Sequence, residues 1–384
     1  YLFERERIIV IYLDNAATTK VCDEAAAAIT ACLQGNYGNP SSLHKMGIEA
    51  EKIIDNARKI IGAALVCEPE CIFFTSGATE SNNLAIFGAT GVYGRRKRKI
   101  VTTSIEHPSV SECMKRLEED GFEVIRISPN SDGEISADDF ADVVDENTCL
   151  VSIMLVNNEN GYIVPVGRIF KDVKRKNPEI ITHCDAVQGF MKIPFKSKEL
   201  NADLISISGH KIYSAKGVGA IYVKKGIRLK PVCYGGGQEK GLRSGTESVP
   251  LIAGFGATVE RLKGTLDFRL NKAKELREYF LNRVDKLDDI SLNFKEDNLP
   301  YIINVSVKGI RSEIMLHFLE EKGIYVSSGS ACSKGARSNV LKEFGLSDEL
   351  IDSSIRISTS FENTFEDMEE LINAIAEARQ RFNY

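Results

Sequence analysis

The sequence predicts an α/β protein with two domains, a large mixed- or parallel-sheet domain with helices on both faces and a smaller α+β domain. Short apolar runs alternate with helical patterns as far as Val223, which is typical of a sheet covered by helices. From about Pro250 the chain changes to long, charged helical stretches, and 384 residues suffice for two domains. We place the large domain at 15–255 and the small domain at 1–14 and 256–384.

The predicted elements of the large domain alternate along the chain. Its strands are 72–74, 99–103, 122–127, 150–156, 180–184, 203–206 and 219–223. Its helices are one that begins at about Ala78 and those at 108–119, 137–144 and 166–176. The later part is predicted to hold one linking helix over 252–287, strands at 302–307 and 324–326, and a final helix at 366–381. Ligands of such sheets bind at the carboxyl ends of the strands.

Composition excludes several classes of protein. The net charge is −5, which provides no basic surface for nucleic acid, and no apolar run approaches the roughly 18 residues of a membrane span. The first seven residues are too charged for a signal peptide. The nine cysteines are odd in number and scattered, and Cys67 and Cys71 have no second Cys/His pair that would complete a zinc site. We expect a cytoplasmic protein with reduced thiols and no metal.

Lys211 is the most informative residue, because a run of alternating apolar and small residues that begins at Ile205 leads into it and places it at a tight turn after a buried strand. A lysine held there is partly desolvated, its pKa falls, and it can form a Schiff base. A lone lysine is usually a solvated surface residue, but Asp185 upstream and Cys332 downstream favour a functional role.

Asp185 follows a predicted strand and can pair with the protonated nitrogen of a pyridoxal ring, while Gln188 can donate to the ring oxygen. The alternative for Asp185 is an ordinary helix cap. His107 lies between a strand and a helix and can stack on a flat cofactor and move protons; the alternative is a solvated loop histidine.

Three loops carry further candidate residues. The stretch 75–80 joins a strand to a helix and can cradle a phosphate at the helix N-terminus, although an ordinary N-cap at Thr75 or Ser76 would give the same pattern. The polar residues 157–161 can bind a phenolate or a carboxylate, or simply form a turn. The glycine-rich stretch 235–246 fits a phosphate or subunit contact.

Cys332 is the best candidate nucleophile. Glycine and serine flank it, which indicates an exposed loop, and Lys334 and Arg337 favour its thiolate. The other eight cysteines mostly lie in apolar or helical settings and are interpreted as small core residues.

Together these motifs resemble the cysteine desulfurases, the NifS/IscS-like branch of the class-V aminotransferases. The stretches that carry the resemblance are 12–19, 38–42, 75–80, 106–107, 156–159, 183–188, 208–211, 235–238, 243–246, 327–332 and 353–356. The resemblance implies a fold-type I pyridoxal-phosphate-dependent transferase and a homodimer with sites at the subunit interface. The segment from Cys332 to Val340 is slightly shorter than in housekeeping members, and their further C-terminal tail is not seen after Tyr384, so the sulfur acceptor stays open.

The resemblance also implies the role of each site residue. The implied catalytic residues are Lys211, Cys332 and His107. The implied cofactor-binding residues are Ala78, Thr79, His107, Asn158, Asp185, Gln188, Ser208, His210, Lys211 and, from across the dimer, Thr246 of the partner subunit. The implied substrate-binding residues are Asn39, Asn158 and Arg356. No metal is implied.

The implied reaction converts L-cysteine to L-alanine and leaves sulfur on Cys332 as a persulfide, for delivery to an iron–sulfur scaffold or a tRNA or cofactor thiolation enzyme. Either Lys211 or His107 would remove the α-proton. Two alternatives remain: a selenocysteine lyase or other class-V pyridoxal-phosphate enzyme in which Cys332 is idle, and a partner-dependent sulfur-relay protein with weak intrinsic turnover.

Overall fold

The computed structural model describes residues 10–287, 289–328 and 337–382, so Cys332 lies outside the described residues. The chain divides into two compact units. The large unit contains Thr19–Val156 and Val164–Leu266. The small unit contains the chain up to Thr18, the short stretch Asn157–Ile163, and the chain from Asp267 onward.

Strands and helices are numbered along the chain. The strands are β1 (Ile11–Tyr12), β2 (Ile72–Thr75), β3 (Lys99–Thr103), β4 (Glu123–Ile127), β5 (Thr148–Met154), β6 (Ile181–Asp185), β7 (Leu204–Ser208), β8 (Gly219–Val223), β9 (Ile290–Leu292), β10 (Ile302–Val307), β11 (Ile324–Tyr325), β12 (Ser327–Ser328) and β13 (Ser354–Ser358). The helices are α1 (Asp23–Gln34), α2 (Lys45–Leu65), α3 (Ala78–Tyr93), α4 (Pro108–Glu119), α5 (Ala137–Val143), α6 (Val166–Lys176), α7 (Val249–Leu262), α8 (Leu266–Val284), α9 (Ser312–Glu321), α10 (Asn339–Glu343), α11 (Asp348–Asp352) and α12 (Phe365–Phe382).

The large unit is built on a seven-stranded mixed sheet in the order β2-β8-β7-β6-β5-β3-β4. Only β8 runs antiparallel to its neighbours, so the other six strands end at the same edge of the sheet. Every residue of β5, β6 and β7 is buried, which explains why these strands are nearly continuous apolar runs. Helix α3 packs across the centre of the sheet, and α2 and α1 pack with α7.

The prediction of one helix over 252–287 is wrong. The structure has α7 and α8 there, separated at Lys263, Gly264 and Thr265. Gly264 has a φ of 71°, a left-handed conformation that favours glycine and ends the first helix.

The small unit contains the antiparallel sheet β12-β13-β10-β9 and the parallel pair β1-β11. Its core is formed by apolar residues of β10 and β13 together with helices α8, α9 and α12. The bounds of the units differ from the predicted domain bounds in three places. The whole of α7 belongs to the large unit, where it packs on α1 and α2. The first segment of the small unit ends at Thr18 and not at residue 14, and 157–163 also belongs to the small unit. That short stretch is held there by backbone hydrogen bonds such as the one from Leu299 N to Gly161 O at 2.7 Å.

In the part of the chain that the structure describes, no helix is long and apolar enough to cross a membrane.

Candidate active site

The candidate site of the large unit lies at the sheet edge where six strands end. The register places Met154 opposite Asp185 on β5 and β6, and Asp185 opposite Ser206 on β6 and β7. Asp185 and the turn after Ser208 therefore meet at this edge, as the sequence predicts for the carboxyl ends of neighbouring parallel strands.

Asp185 is a buried carboxylate that is held on both oxygens. It is 5% exposed, its Oδ1 accepts from Val187 N–H at 3.0 Å, and its Oδ2 accepts from Asn82 Nδ2 at 2.7 Å. Burial raises the pKa of Asp185, whereas the Val187 N–H, the charges of His107 and Lys211, and the Asn82 amide oppose that rise. No helix occurs in residues 186–203, all of which the structure describes, so the helix-cap interpretation of Asp185 is wrong.

Lys211 ends a short 3-10 turn, Gly209–Lys211, directly after β7. Thr19 stabilises this turn through three hydrogen bonds. Its N–H and its Oγ1 donate to the carbonyl of His210, at 2.9 and 3.0 Å. Its Oγ1 also accepts from Tyr213 N–H at 2.6 Å. Burial, followed by the charge of Lys211, lowers the pKa of His210 to about 4, so this ring is neutral near pH 7. Lys211 is half-buried at the end of this turn.

The stretch between β2 and α3 forms a cradle for an anion. Gly77 has φ 154° and ψ 178°, which essentially only glycine adopts, and a Cβ added there would meet no atom within 4 Å. A helix leaves the N–H groups of its first turn without intrahelical acceptors, so those of Ala78 and Thr79 are available to a phosphate. On β8, a Cβ at Gly219 would lie 2.8 Å from the Cα of Gly77, so only glycine permits this close approach. Across the ladder from Gly219, Ser208 Oγ is buried and has no hydrogen-bond partner among the described residues.

The alternative in which Thr75 or Ser76 caps α3 is wrong. The N-cap is Gly77, and it makes no side-chain hydrogen bond. Thr75 Oγ1 instead lies 2.8 Å from Ser81 Oγ, and Ser76 N–H donates to Glu80 Oε2 at 2.7 Å.

His107 precedes α4 and is solvent-exposed. Its Nδ1 accepts from Ser109 N–H at 3.1 Å and lies 2.8 Å from Ser109 Oγ. Partial desolvation lowers the pKa of this ring; the charge of Asp185 opposes that effect and the charge of Lys211 adds to it. Hydrogen bonds through Asn82 and Ser109 link His107 to Asp185, and the charge of Lys211 also acts on His107, so the structure brings these three predicted residues together.

Lys192, the partner of the predicted Gln188, and Asn82, the partner of Asp185, are buried residues of the site that were missed in the sequence. Gln188 is 5% exposed, and Lys192 Nζ donates to its Oε1 at 3.0 Å, so its carboxamide has a fixed orientation. Asn82 is fully buried and donates through Nδ2 to Asp185 and to Ser109 Oγ, the latter at 2.8 Å. The only signal for Asn82 in the sequence is a polar residue on an otherwise apolar helix face.

Glu106 is a third buried partner. Its Oε1 accepts from Thr103 Oγ1 at 2.6 Å and from Met154 N–H at 2.9 Å, whereas its Oε2 is buried without a hydrogen-bond partner among the described residues. Burial raises the pKa of Glu106 to about 8, and the charge of Asp185 adds to that rise. Glu106 belongs to the Glu-His motif of the sequence, but only the histidine had been assigned a role.

The glycine-rich loop is anchored to its own subunit at two points. Glu239 is buried and pairs with Arg58 through two hydrogen bonds of 2.9 Å, and Arg243 Nε donates to Glu80 Oε1 at 2.8 Å. Thr246, beyond the second anchor, is exposed. Asn39 is also exposed, and its Oδ1 accepts from Ser41 N–H at 3.0 Å in a turn.

In the small unit, Arg356 is fixed by three acceptors. Its Nη2 donates to Asp14 Oδ1 at 2.8 Å and to Ser327 Oγ at 2.9 Å, and its Nη1 donates to Asn158 O at 3.1 Å. Its Nε is buried and has no hydrogen-bond partner among the described residues. Arg356 is therefore a buried, oriented cation, as a carboxylate-binding residue must be.

The stretch 157–161 forms a turn closed by its own side chains. Asn157 Oδ1 accepts from Glu159 N–H at 2.8 Å, and Asn160 Oδ1 accepts from Tyr162 N–H at 3.0 Å. The Oε2 of Glu159 accepts from Ser338 Oγ. Burial raises the pKa of Glu159, and Ser338 and Arg356 oppose that rise.

The residues of the large unit fit pyridoxal phosphate. Asp185 provides a buried carboxylate for a pyridinium nitrogen, the α3 N-terminus and the unpartnered Ser208 Oγ provide donors for a phosphate, and Lys211 provides an amine.

Known proteins resemble this chain over nearly its whole length. The sequence profile of the family described as Aminotransferase class-V matches residues 11–371. A protein from Dictyoglomus turgidum named Cysteine desulfurase IscS is 38% identical over 369 residues, which cover 95% of this chain and 93% of that protein. A protein of the same name from Vibrio atlanticus is 41% identical over 381 residues, covering 97% and 93%.

A solved structure described as a NifS-like protein superposes with a TM-score of 0.92 at 38% identity, and the match covers 97% of this chain and 100% of that one. The predicted fold class is confirmed. The chain belongs to the class-V aminotransferase family and, within it, to the pyridoxal-phosphate-dependent cysteine desulfurases.

Proposed function

We propose that this enzyme converts L-cysteine to L-alanine and retains the sulfur on Cys332 as a persulfide, which then passes to an acceptor. The observation that carries the proposal is the juxtaposition of Asp185, Lys211 and His107 at the strand ends, beside an anion cradle. When bound, pyridoxal phosphate supplies an electron-withdrawing ring that stabilises negative charge at the substrate Cα.

The residues of the large unit divide the work of holding the cofactor. Asp185 pairs with the ring nitrogen, Gln188 donates to the ring oxygen, and Lys211 forms the covalent bond. The first-turn N–H groups of α3, together with Ser208 and His210, bind the phosphate. Support comes from the burial of Asp185 and from the unpartnered Ser208 Oγ.

Substrate recognition falls to Arg356, Asn158 and Asn39. Arg356 presents a buried guanidinium whose Nε lacks a hydrogen-bond partner among the described residues, which suits a substrate carboxylate. The thiolate of Cys332 attacks the sulfur of the bound cysteine. An S–S bond forms as the Cβ–S bond breaks, the electron pair passes to carbon, and protonation yields alanine.

The functional unit is a homodimer with composite sites, in which Thr246 of the partner subunit contacts the phosphate. Exposed apolar side chains of the large unit support an interface: Leu43 is 96% exposed, Tyr37 is 73% and Tyr234 is 70%. The acceptor is an iron–sulfur scaffold or a thiolation enzyme, and the scattered cysteines favour a cytoplasmic protein.

The nucleophile is tested with three variants of the cofactor-loaded enzyme. Cys332→Ala should retain cofactor binding but lose alanine formation and the protein-bound persulfide, mapped by alkylation and mass spectrometry. Cys233→Ala is the matched control, because Cys233 is the exposed cysteine among the eight that the structure describes, while Cys67 is half-buried and the other six are buried. Lys211→Ala should lose the absorbance of the bound cofactor and all turnover.

Other outcomes would favour the alternatives. Full alanine formation by Cys332→Ala would indicate a lyase or another class-V enzyme in which this thiol is idle. Turnover that becomes substantial only when an acceptor is added would indicate a partner-dependent relay.

A further inference from the structure

Asp185 and His107 are connected by a continuous chain of hydrogen bonds that passes through two further side chains, those of Asn82 and Ser109. Asn82 Nδ2 donates to Asp185 Oδ2 at 2.7 Å and to Ser109 Oγ at 2.8 Å, and Ser109 Oγ lies 2.8 Å from His107 Nδ1. Asn82 is 0% exposed, Ser109 is 8% and Asp185 is 5%, so water does not compete with the middle of the chain. The residues come from α3, α4 and β6, which are distant in sequence.

The direction of each hydrogen bond follows from the groups involved. A carboxylate only accepts, so the amide nitrogen of Asn82, not its oxygen, must face Asp185. That same nitrogen donates its second proton to Ser109 Oγ, which leaves the Ser109 hydroxyl proton for His107 Nδ1. The backbone N–H of Ser109 also donates to Nδ1, at 3.1 Å.

We propose that Asn82 and Ser109 are positioning residues that hold His107 as a neutral ring with its proton on Nε2 and link that ring to Asp185. The argument for the tautomer rests on a backbone donor, whose direction cannot reverse. An Nδ1–H would face the backbone N–H of Ser109 and remove that hydrogen bond, whereas an unprotonated Nδ1 can accept from both the N–H and the hydroxyl of Ser109.

The inference rests on the proposed function and refines it. A ring with Nδ1 engaged and Nε2 protonated has no lone pair for the substrate α-proton, so removal of that proton falls to Lys211, and His107 donates through Nε2. The titratable groups whose charges act on His107 are Asp185 and Lys211. Partial burial lowers the pKa of His107 and the charge of Lys211 adds to that effect, whereas the charge of Asp185 opposes it. The hydrogen bonds that Nδ1 accepts favour the neutral form as well.

The experiment is nitrogen NMR of the cofactor-loaded enzyme labelled with ¹⁵N-histidine, with the His107 signals assigned from a His107→Asn sample. In the wild type, Nδ1 should show the shift of an unprotonated acceptor nitrogen and Nε2 that of a protonated one. The tautomer is read in the wild-type enzyme, and the His107→Asn sample serves only to assign the signals. A protonated Nδ1 at neutral pH in wild-type enzyme would overturn the proposal.

Two variants and a control then test the positioning residues. In Ser109→Ala and Asn82→Leu, the titration midpoint of His107 should rise by about half a unit to one unit, the equivalent of one net hydrogen bond. Asn83→Ala is the control, since Asn83 lies next to Asn82 on α3 but donates to Thr79 O and should leave the titration unchanged. Unchanged titration in both test variants would contradict the role of the chain.

Failure of this inference is distinguishable from failure of the proposed function. An enzyme that forms alanine and persulfide but carries a proton on Nδ1 refutes only the positioning role. A protein that binds no pyridoxal phosphate refutes the proposed function.

Discussion

Buried carboxyl groups at the site differ in how completely they are hydrogen-bonded. Asp185 accepts a donor on each oxygen, whereas Glu106 accepts two donors on one oxygen and none among the described residues on the other. An ionised carboxylate whose second oxygen is buried without a donor is costly, and protonation removes that cost. Glu106 therefore suits a neutral acid, while Asp185, with donors on both oxygens and the charges of His107 and Lys211 nearby, suits an anion that pairs with a cation.

Glu106 should make stability depend on pH. Its pKa is about 8 in the folded protein against 4.5 for the free side chain, so the folded state binds the proton more tightly. The stability that this proton contributes is complete below about pH 4.5 and is lost as the pH rises through 8, with a slope of at most about 1.4 kcal/mol per pH unit. In Glu106→Gln this loss should disappear, so its thermal midpoint should gain on the wild type as pH rises.

The measurement is a thermal unfolding series across that pH range. Glu123→Gln, a change to an exposed carboxyl, is the control and should track the wild type. Parallel curves for Glu106→Gln and wild type would contradict the assignment of the proton to Glu106.

Asp185→Ala should weaken cofactor binding by about tenfold or more, because a charge-assisted hydrogen bond contributes roughly 1.5–3 kcal/mol. Titration of the apoenzyme with pyridoxal phosphate, followed by absorbance, provides the dissociation constant. Asp203→Ala is a matched control, because Asp203 is also a buried aspartate of the large sheet and directly precedes β7. Its carboxylate pairs with Lys174 and accepts from Thr182 N–H, and no cofactor contact is assigned to it. It should lower the thermal midpoint and spare cofactor affinity; equal affinity loss in both variants would indicate a general structural effect.

Single residues differ in how far the sequence can predict them. Lys211, Asp185 and His107 were predicted because each follows a strand, and position at a strand end is visible in the local pattern. Asn82 was not, because its partner Asp185 is 103 residues away and its role appears only when α3 packs across the sheet. Cys332 was predicted from its flanking residues alone and remains a prediction.

At the scale of elements, strands were easier to predict than the breaks between helices. The strands of the large sheet are apolar runs bounded by polar turns, so their order along the chain was apparent. The break between α7 and α8 was missed because the charged helical pattern continues across it, and the break is only three residues long, with a glycine in a left-handed conformation at its centre. The lateral order β2-β8-β7 also has no signal in the sequence, since it depends on the antiparallel insertion of β8.

The pairing of β12 with β13 places Ser327 beside Arg356, the proposed substrate-binding arginine, and so helps to orient its guanidinium. Ser327 lies opposite Arg356 in the register, so its hydroxyl can accept from Nη2. The same Nη2 also donates to Asp14, and Nη1 donates to the carbonyl of Asn158. Arg356→Lys keeps the charge but cannot reproduce three separate hydrogen bonds from one planar group.

We expect Arg356→Lys to raise the KM for L-cysteine about tenfold or more and to leave pyridoxal-phosphate absorbance unchanged, since Arg356 is assigned to the substrate carboxylate and not to the cofactor. Arg116→Lys is the control, because Arg116 also donates hydrogen bonds to side chains, those of Glu119 and Asp120, but on the exposed surface. A wild-type KM for Arg356→Lys would show that charge alone suffices, or that the substrate carboxylate binds elsewhere.

At the scale of the whole molecule, the position of Thr246 supports the prediction that each active site of the dimer is formed by residues of both subunits. Its loop is fixed to its own subunit by the Glu239–Arg58 and Arg243–Glu80 pairs, yet Thr246 itself is exposed. A rigid loop that presents an exposed hydroxyl suits a contact with the phosphate of a partner subunit. The variant should therefore change Thr246 alone, because loss of Arg243 would also break an ion pair inside the subunit.

Mixed dimers test this arrangement directly. A Lys211→Ala chain lacks the covalent amine, and a Thr246→Asp chain places a negative charge against the phosphate of its partner, so each homodimer should be nearly inactive. In a heterodimer, one site combines both changes, whereas the other combines an intact Lys211 with an intact Thr246. Random re-association of equal amounts should therefore restore about a quarter of the wild-type activity, since half of the dimers are mixed and each has one intact site. Differently tagged chains allow the heterodimer to be purified and assayed alone, where about half of the wild-type activity is expected. If Thr246 serves the site of its own subunit, the heterodimer contains one site with each defect, and purified heterodimer should be as inactive as the parent homodimers.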